Sequence, residues 1–401
     1  MHVVAVAALL LVAGAGNFKA QPSSEVRALW VTRVSLTSPE SISALVRSAR
    51  ASGFNTLLVQ VRGRGDAYFA DGLEPRADGL AAQRPDFDPL QLVITRAHAE
   101  DLRVHAWVNV NLVASAAELP AGRGHVIYRH PEWLMVPRPL AVELARAGSR
   151  SPEFLGRLAR WTRASDEVEG LFTTPALPEA AAHTVAVIDD IVARYPVDGV
   201  HLDYVRYPGP EFDYNLGVLR EFRADLEPRL PDAERRRFDA RSVGDLIALT
   251  DMYPERWAGF RRSRLNALVM KIRTAVKQRR PGIVLSAAVF PDANEAAVRR
   301  FQDWRFWVEN RWIDVVCPMA YTQDAGMFDA QIASARQVAG LASVWAGIGA
   351  YRLTPARTVQ NIETARRLGA SGVILFSYDS LVQPPRGVDT LASIGRAAFT
   401  P

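Results

Sequence analysis

From about residue 25 to the C-terminus, short apolar runs alternate with amphipathic helical patterns eight times over. That alternation limits the folds open to the chain more than any other feature. The runs Ala28–Val31, Thr56–Val61, Arg103–Val110, Gly199–Tyr204, Ile283–Phe290, Ile313–Ala320, Ser343–Ala350 and Gly372–Tyr378 are predicted strands. Several are β-branched and apolar on both faces, as parallel strands covered by helices must be. Ser38-Pro39, Asp88-Pro89 and Thr354-Pro355 each place a cap and an N1 proline ahead of a helix. The pattern fits a closed (β/α)8 barrel or an open doubly wound sheet. Eight units match the barrel, and no Gly-x-Gly-x-x-Gly turn follows the first strand, where a dinucleotide fold would need it. The expectation is one α/β TIM-barrel domain over residues 25–400, with long insertions after the third and fourth strands, at about 111–178 and 208–253.

Composition narrows the function classes. A chain of 401 residues is long enough for one large barrel, and its lone Cys317 excludes an intramolecular disulfide or a Cys-rich zinc site. The net charge of +5 comes almost wholly from arginines spread along the chain, the only lysines being Lys19, Lys271 and Lys277. No basic stripe interleaved with aromatics appears, which argues against nucleic acid. Val3–Ala13 is an apolar run of signal-peptide length followed by the small-x-small triplet Ala13-Gly14-Ala15. The reading is a signal peptide over residues 1–20 and an exported protein, periplasmic or extracellular, with no stable membrane insertion. The oligomeric state is left open.

In a barrel of this kind the chemistry sits at the C-terminal ends of the strands. Those ends carry Gln60, Arg62, Arg64 and the loop residue Glu74; His105, Trp107, Asn109 and Asn111; His201, Asp203, Tyr204, Arg206 and Tyr207; Asp292; Tyr321; Tyr351 and Arg352; and Tyr378 with Asp379. Carboxylates among Trp and Tyr suit sugars, because aromatic faces stack on pyranose C–H surfaces. Glycoside hydrolysis needs one carboxyl to protonate the leaving oxygen and a second to act as base or nucleophile. Asp203, at the end of an apolar strand, is the predicted key carboxylate, unless it only pairs with Arg62 or Arg206. Asp292, Glu74 and Asp379 compete as its partner. Gln60, Arg62, His105, Trp107, Asn109, His201, Tyr204, Tyr207, Tyr321 and Tyr378 are predicted to bind substrate. Asp198, at a strand entry, reads as a turn or cap residue, and Asp314, likewise at a strand entry, as structural. His105, His201 and Asp203 would also make a two-His, one-carboxylate metal site. No His-x-His or His-Glu-x-x-His pattern supports it, so no metal and no cofactor is expected.

Six blocks then appear in order: Val26-Arg-Ala-Leu-Trp-Val31, Gly53-Phe-Asn-Thr-Leu-Leu-Val-Gln-Val-Arg62, Asp88-Pro-Leu90, Val104-His-Ala-Trp-Val-Asn109, Asp198-Gly-Val-His-Leu-Asp-Tyr-Val-Arg-Tyr-Pro208 and Trp312-Ile-Asp-Val-Val-Cys-Pro-Met-Ala-Tyr321. In these blocks the chain resembles the glycosyl-hydrolase-like 10 family of bacterial TIM-barrel proteins, over about residues 25–380. The resemblance implies a barrel glycoside hydrolase of the cell envelope, some members acting on peptidoglycan glycan strands stripped of peptide. It marks Gln60, Arg62, His105, Trp107, Asn109, Asp203 and Tyr321 as motif positions. The chain departs where many members have a second Asp after the fourth-strand Asp; Tyr204 stands there. Gly199–Asp203 also looks like the nucleophile strand of the α-amylase-like barrels. A glycan substrate is therefore expected, with Asp203 as nucleophile or acid/base, unless an N-acetyl group of the substrate assists. The rivals are a glycan-binding barrel without activity and a metal-dependent hydrolase using His105, His201 and Asp203.

Overall fold

The computed structural model describes residues 25–235 and 242–399; the predicted leader lies outside them. Eight strands close into a barrel: β1 Val26–Val31, β2 Thr56–Arg62, β3 Arg103–Asn109, β4 Gly199–Asp203, β5 Val284–Val289, β6 Val315–Ala320, β7 Ser343–Ile348 and β8 Gly372–Phe376. Each pairs in parallel with its sequence neighbours, and β8 returns to β1 through Val26 to Trp30 against Gly372 to Phe376. Helices between the strands pack on the outside, where Leu45, Ile94, Ile191, Ile272, Phe328, Ile362 and Ile394 join one continuous core.

The inside of the barrel is unusually aromatic. Trp30, Trp107 and Trp345 fill it with Leu58, Cys317 and Ile374, where Val, Ile and Leu usually dominate. Such rings fit only because neighbouring strands contribute glycine. A Cβ at Gly199 would lie 2.3 Å from the His105 ring, and one at Gly347 2.9 Å from Trp30. Asp198 and Asp314, at strand entries, tie neighbouring strands instead of capping a turn, accepting the Val104 and Leu285 amides at 2.8 Å each.

Two long connections stand over the C-terminal end of the barrel. That between β3 and β4 holds an antiparallel pair, Leu112–Ala114 with Leu171–Phe172, and the helices Ala141–Ala147 and Pro152–Arg163. That between β4 and β5 begins with the helices Leu216–Leu226 and Val243–Met252 and ends in Pro254–Arg279. Leu144, Phe154, Phe222, Leu249 and Trp257 from both make a second hydrophobic core. Buried Asp213 joins the connections by accepting the Val136 amide at 2.8 Å, while Asn215 donates to the carbonyls of Glu132 and Leu134.

The structure differs from the sequence pattern at two strand exits and in one helix, among other places. Tyr204 takes a left-handed φ of 49°, which ends β4 at Asp203. After β8, Ser377 and Ser380 form a capping box that opens the helix Tyr378–Val382, so the predicted strand is two residues shorter. The single helix predicted at 295–310 is two, Ala293–Arg299 and Trp304–Glu309, separated by Phe301 at positive φ and started again by the Asp303 cap.

Candidate active site

Asp203 stands at the C-terminal end of β4, half-buried at the floor of the barrel mouth. Its carboxylate accepts the Tyr204 amide at 2.7 Å and lies against the Trp107 indole N–H, which also donates to Asn109 Oδ1 at 3.0 Å. Neither Arg62 nor Arg206 pairs with it; Arg62 is taken by Glu74 and Arg206 by Glu169. Burial is the dominant effect on Asp203 and pushes its pKa up to about 6, against the opposing pull of the Tyr204 amide and Arg206. An acid of this kind holds its proton close to neutrality.

Across the mouth is an aromatic wall. Tyr321, just past β6, stacks on Phe376 at the end of β8 with ring centroids 5.5 Å apart, and Tyr351 meets Phe376 edge-on at 5.8 Å. Trp30 lies beneath, 6.2 Å from Tyr321. Burial raises the Tyr321 hydroxyl pKa, and the nearby Asp203 charge raises it further. On the opposite side the Arg206 guanidinium covers the Tyr204 ring at 4.6 Å, and Phe172 approaches Tyr204 at 6.0 Å. From Tyr321 a groove of about 380 Å³ runs outward past Met319, Gln323 and Arg352 to Asp292. A larger apolar cavity of about 520 Å³, lined by Trp133, Leu144, Phe154 and Tyr214, belongs to the second core and touches none of the predicted site residues.

Of the predicted residues, the structure therefore brings Asp203, Tyr204 and Tyr321 together at the mouth with Trp107 against Asp203 from within the barrel, and Asp292 lies at the far end of the groove. Asp292 is exposed, and one of its oxygens caps the helix that follows by accepting the Asn294 and Glu295 amides. Glu74 is buried and clamped by Arg62 through two bonds of 2.5 and 2.6 Å, with His183 3.1 Å away. Burial alone would raise the Glu74 pKa, but Arg62 and His183 hold it at about 2. Arg62 also donates to the carbonyls of Asn109 and Val110. Asp379 is equally engaged, accepting the Thr32 amide at 2.8 Å and the Ser35 hydroxyl at 2.6 Å. Beneath the mouth Gln60 donates to Asn109 Oδ1, and the Asn109 amide nitrogen donates to the carbonyl of Gly63.

Four predicted contacts lie elsewhere. Tyr207 is fully buried, packed edge-on to Phe301 at 5.2 Å. Tyr378 faces outward from its short helix and bonds Ser48 at 3.1 Å. His105 and His201 are sealed inside the barrel. The Trp30 indole N–H donates to His201 Nε2 at 2.9 Å, so that nitrogen bears a lone pair; the proton on Nδ1 then goes to Ser286 Oγ, also at 2.9 Å. Burial lowers the His201 pKa to about 3 and that of His105 to about 4. With both nitrogens of His201 committed, the two-His, one-carboxylate arrangement does not fit a metal, and no group of three potential ligands occurs among the described residues.

Two features of the mouth carry no sequence signal. Glu169, in the β3–β4 connection, pairs with Arg206 at 2.6 Å within electrostatic reach of Asp203. Phe376 closes the aromatic wall as the last residue of an apolar strand.

The family described as glycosyl hydrolase-like 10 matches residues 25–361. Glycosyl hydrolase YngK of Bacillus subtilis is 24% identical over 338 residues, covering 75% of this chain and 55% of that protein. Glycosyl hydrolase DigH of Escherichia coli K12 is 25% identical over 341 residues, covering 75% and 66%. The chain thus spans between about half and two thirds of the length of these curated relatives. Among solved structures, the glycoside hydrolase domain of PgaB (BpsB) from Bordetella bronchiseptica shares the fold with a TM-score of 0.63 at 15% identity, over 94% of this chain and all of that one. The β-amylase catalytic domain from Paenibacillus polymyxa does so at 0.60 and 9% identity, over 95% and 99%. Among the described residues no helix is long and apolar enough to cross a membrane.

Proposed function

The chain belongs to the glycosyl hydrolase-like 10 family, and from that premise we propose that it is an exported glycoside hydrolase whose substrate is bacterial glycan, peptidoglycan strands in particular. The observation that carries this reading is Asp203: a carboxyl at the barrel mouth with no ion pair among the described residues, kept protonated up to about pH 6 by burial, opposite an aromatic wall. The apolar run at Val3–Ala13 supports export.

Asp203 acts as general acid. It delivers its proton to the glycosidic oxygen as the bond from that oxygen to the anomeric carbon breaks. Glu74 and Asp379 are committed to other partners, and Asp292 lies out on the rim, which favours attack on the anomeric carbon by the carbonyl oxygen of the substrate's own N-acetyl group. The carboxylate of Asp203 then takes a proton from the water that opens the resulting ring, and the acid is restored. Tyr321 and Phe376 support the sugar faces.

Asp203→Asn is expected to lower kcat/KM on peptide-free glycan strands by ~10²–10⁴ while leaving strand binding intact. Retention of turnover within about tenfold would sink the role of Asp203. Glu169→Gln is expected to change kcat by less than about tenfold; a loss as large as that of Asp203→Asn would make Glu169 the second protein carboxylate. The commitment of the other acids also suits a second reading, a glycan-binding barrel without turnover. Strand binding by the wild-type protein with no release of reducing ends would establish it.

A further inference from the structure

We propose that Arg64, backed by Arg33, is the specificity-determining residue of the cleft and binds a carboxylate carried by the sugars of the glycan. The proposal rests on reading the cleft as a glycan site and adds the residue that reads the charge of the substrate. Arg33 follows β1 and Arg64 follows β2, so both stand at the C-terminal mouth. Arg33 donates from Nη1 to Gln60 Oε1 at 3.1 Å and has no carboxylate partner among the described residues. The Arg64 guanidinium has no hydrogen bond or ion pair at all among them, and its Nη1 is buried. Only the Arg64 backbone is used: its amide donates to Asp66 Oδ1 at 2.8 Å and its carbonyl meets His125 Nε2 at 2.7 Å.

The two cations repel each other. Burial lowers the Arg64 pKa and the Arg33 charge lowers it further, against the weaker opposing influence of Tyr204, Asp66 and Glu169. None of those three neutralises it at contact: Asp66 is turned to the backbone, and Glu169 is held by Arg206 at 2.6 Å. Gly63 makes the crowding possible, since a Cβ there would lie 2.9 Å from Arg33 Nη1. A half-buried cation kept against a like charge without a partner costs stability, and such local violations are expected where a ligand completes the set. A carboxylate fits, because it takes the planar guanidinium fork through two parallel bonds. The lactyl ether of peptide-free peptidoglycan carries one, and so does the ring of a uronic acid.

Calorimetric titration of the Asp203→Asn protein, in which turnover is slowed, tests this with three ligands: peptide-free peptidoglycan oligosaccharides, the same molecules with their carboxyls reduced to alcohols, and hyaluronan oligosaccharides. The carboxylated strands should bind about tenfold or more tighter than the reduced ones. Adding Arg64→Gln should erase that difference, leave the affinity for reduced strands within about twofold, and not lower the thermal midpoint, because the guanidinium has no native contact to lose. Arg64→Lys should recover part of the preference, through charge without the fork. Tighter binding of peptidoglycan strands than of hyaluronan assigns the lactyl carboxylate; the reverse assigns a uronate. Equal affinity for reduced and unreduced strands, an equal loss on both in Arg64→Gln, or no binding of any strand overturns the proposal. Hydrolysis is scored separately on the wild-type protein. Carboxylate-dependent binding without hydrolysis sinks the hydrolase reading alone, and hydrolysis indifferent to the carboxyl sinks this one alone.

Discussion

At the scale of the residue, Asp203 is governed by its surroundings more than by its partners. The Tyr204 amide and Arg206 favour its charged form, yet burial outweighs them and brings the pKa to about 6. As a general acid it works only while protonated, so kcat/KM should be level below about pH 6 and fall as pH rises through it. Measuring the pH profile of the free enzyme checks this, and Asp203→Asn should abolish that limb. A profile flat between pH 5 and pH 8 would separate Asp203 from the proton transfer. His201 shows the reverse case: the sequence offers it as a ligand or substrate donor, but the Trp30 indole and the Ser286 hydroxyl fix it as a neutral packing group. Two residues apart on one strand, Asp203 and His201 both point inward, as the period of a strand requires. Depth along the barrel axis separates their roles, and no spacing in the sequence encodes whether a third side chain has closed over one of them.

At the scale of the element, the strands were legible because each is a short apolar run bounded by helix caps. Their exits were not, because one or two residues decide where the chain turns. Tyr378 illustrates this. The apolar pattern continues through it, but the Ser377–Ser380 capping box starts a helix and turns its ring away from the mouth toward Ser48. Gly199 shows an element constrained by its neighbour. It looks like a simple strand start, yet its missing side chain is the space occupied by the His105 ring, which Trp345 borders at 5.5 Å. Gly199→Ala should therefore lower stability by ~1–3 kcal/mol through overpacking, read from the urea midpoint. His105→Ala in the same chain should recover part of that loss. A wild-type midpoint for Gly199→Ala alone would contradict the packing.

At the scale of the whole molecule, the Arg62–Glu74–His183 cluster joins β2, its loop and the helix Pro178–Arg194 beneath the mouth. Removing one side of a buried pair strands the other, so Arg62→Met should cost ~3–5 kcal/mol at pH 7 in denaturant titrations. Glu74 has a folded pKa of about 2 against an ordinary 4.5. Its contribution to stability is thus complete above about pH 4.5 and lost as pH falls toward 2, and Glu74→Gln should remove that part of the pH dependence. The barrel, and the placing of Asp203 at the end of its fourth strand, were determined by the sequence, because strand periodicity is local and repeats along the chain. Only the tertiary structure decided which polar residues remain available. Glu74 found Arg62 and Asp379 found the first βα loop, while Glu169 was brought to the cleft by a connection with no regular pattern. Pairing depends on contacts between residues far apart in the chain, and those exist only once the barrel has closed.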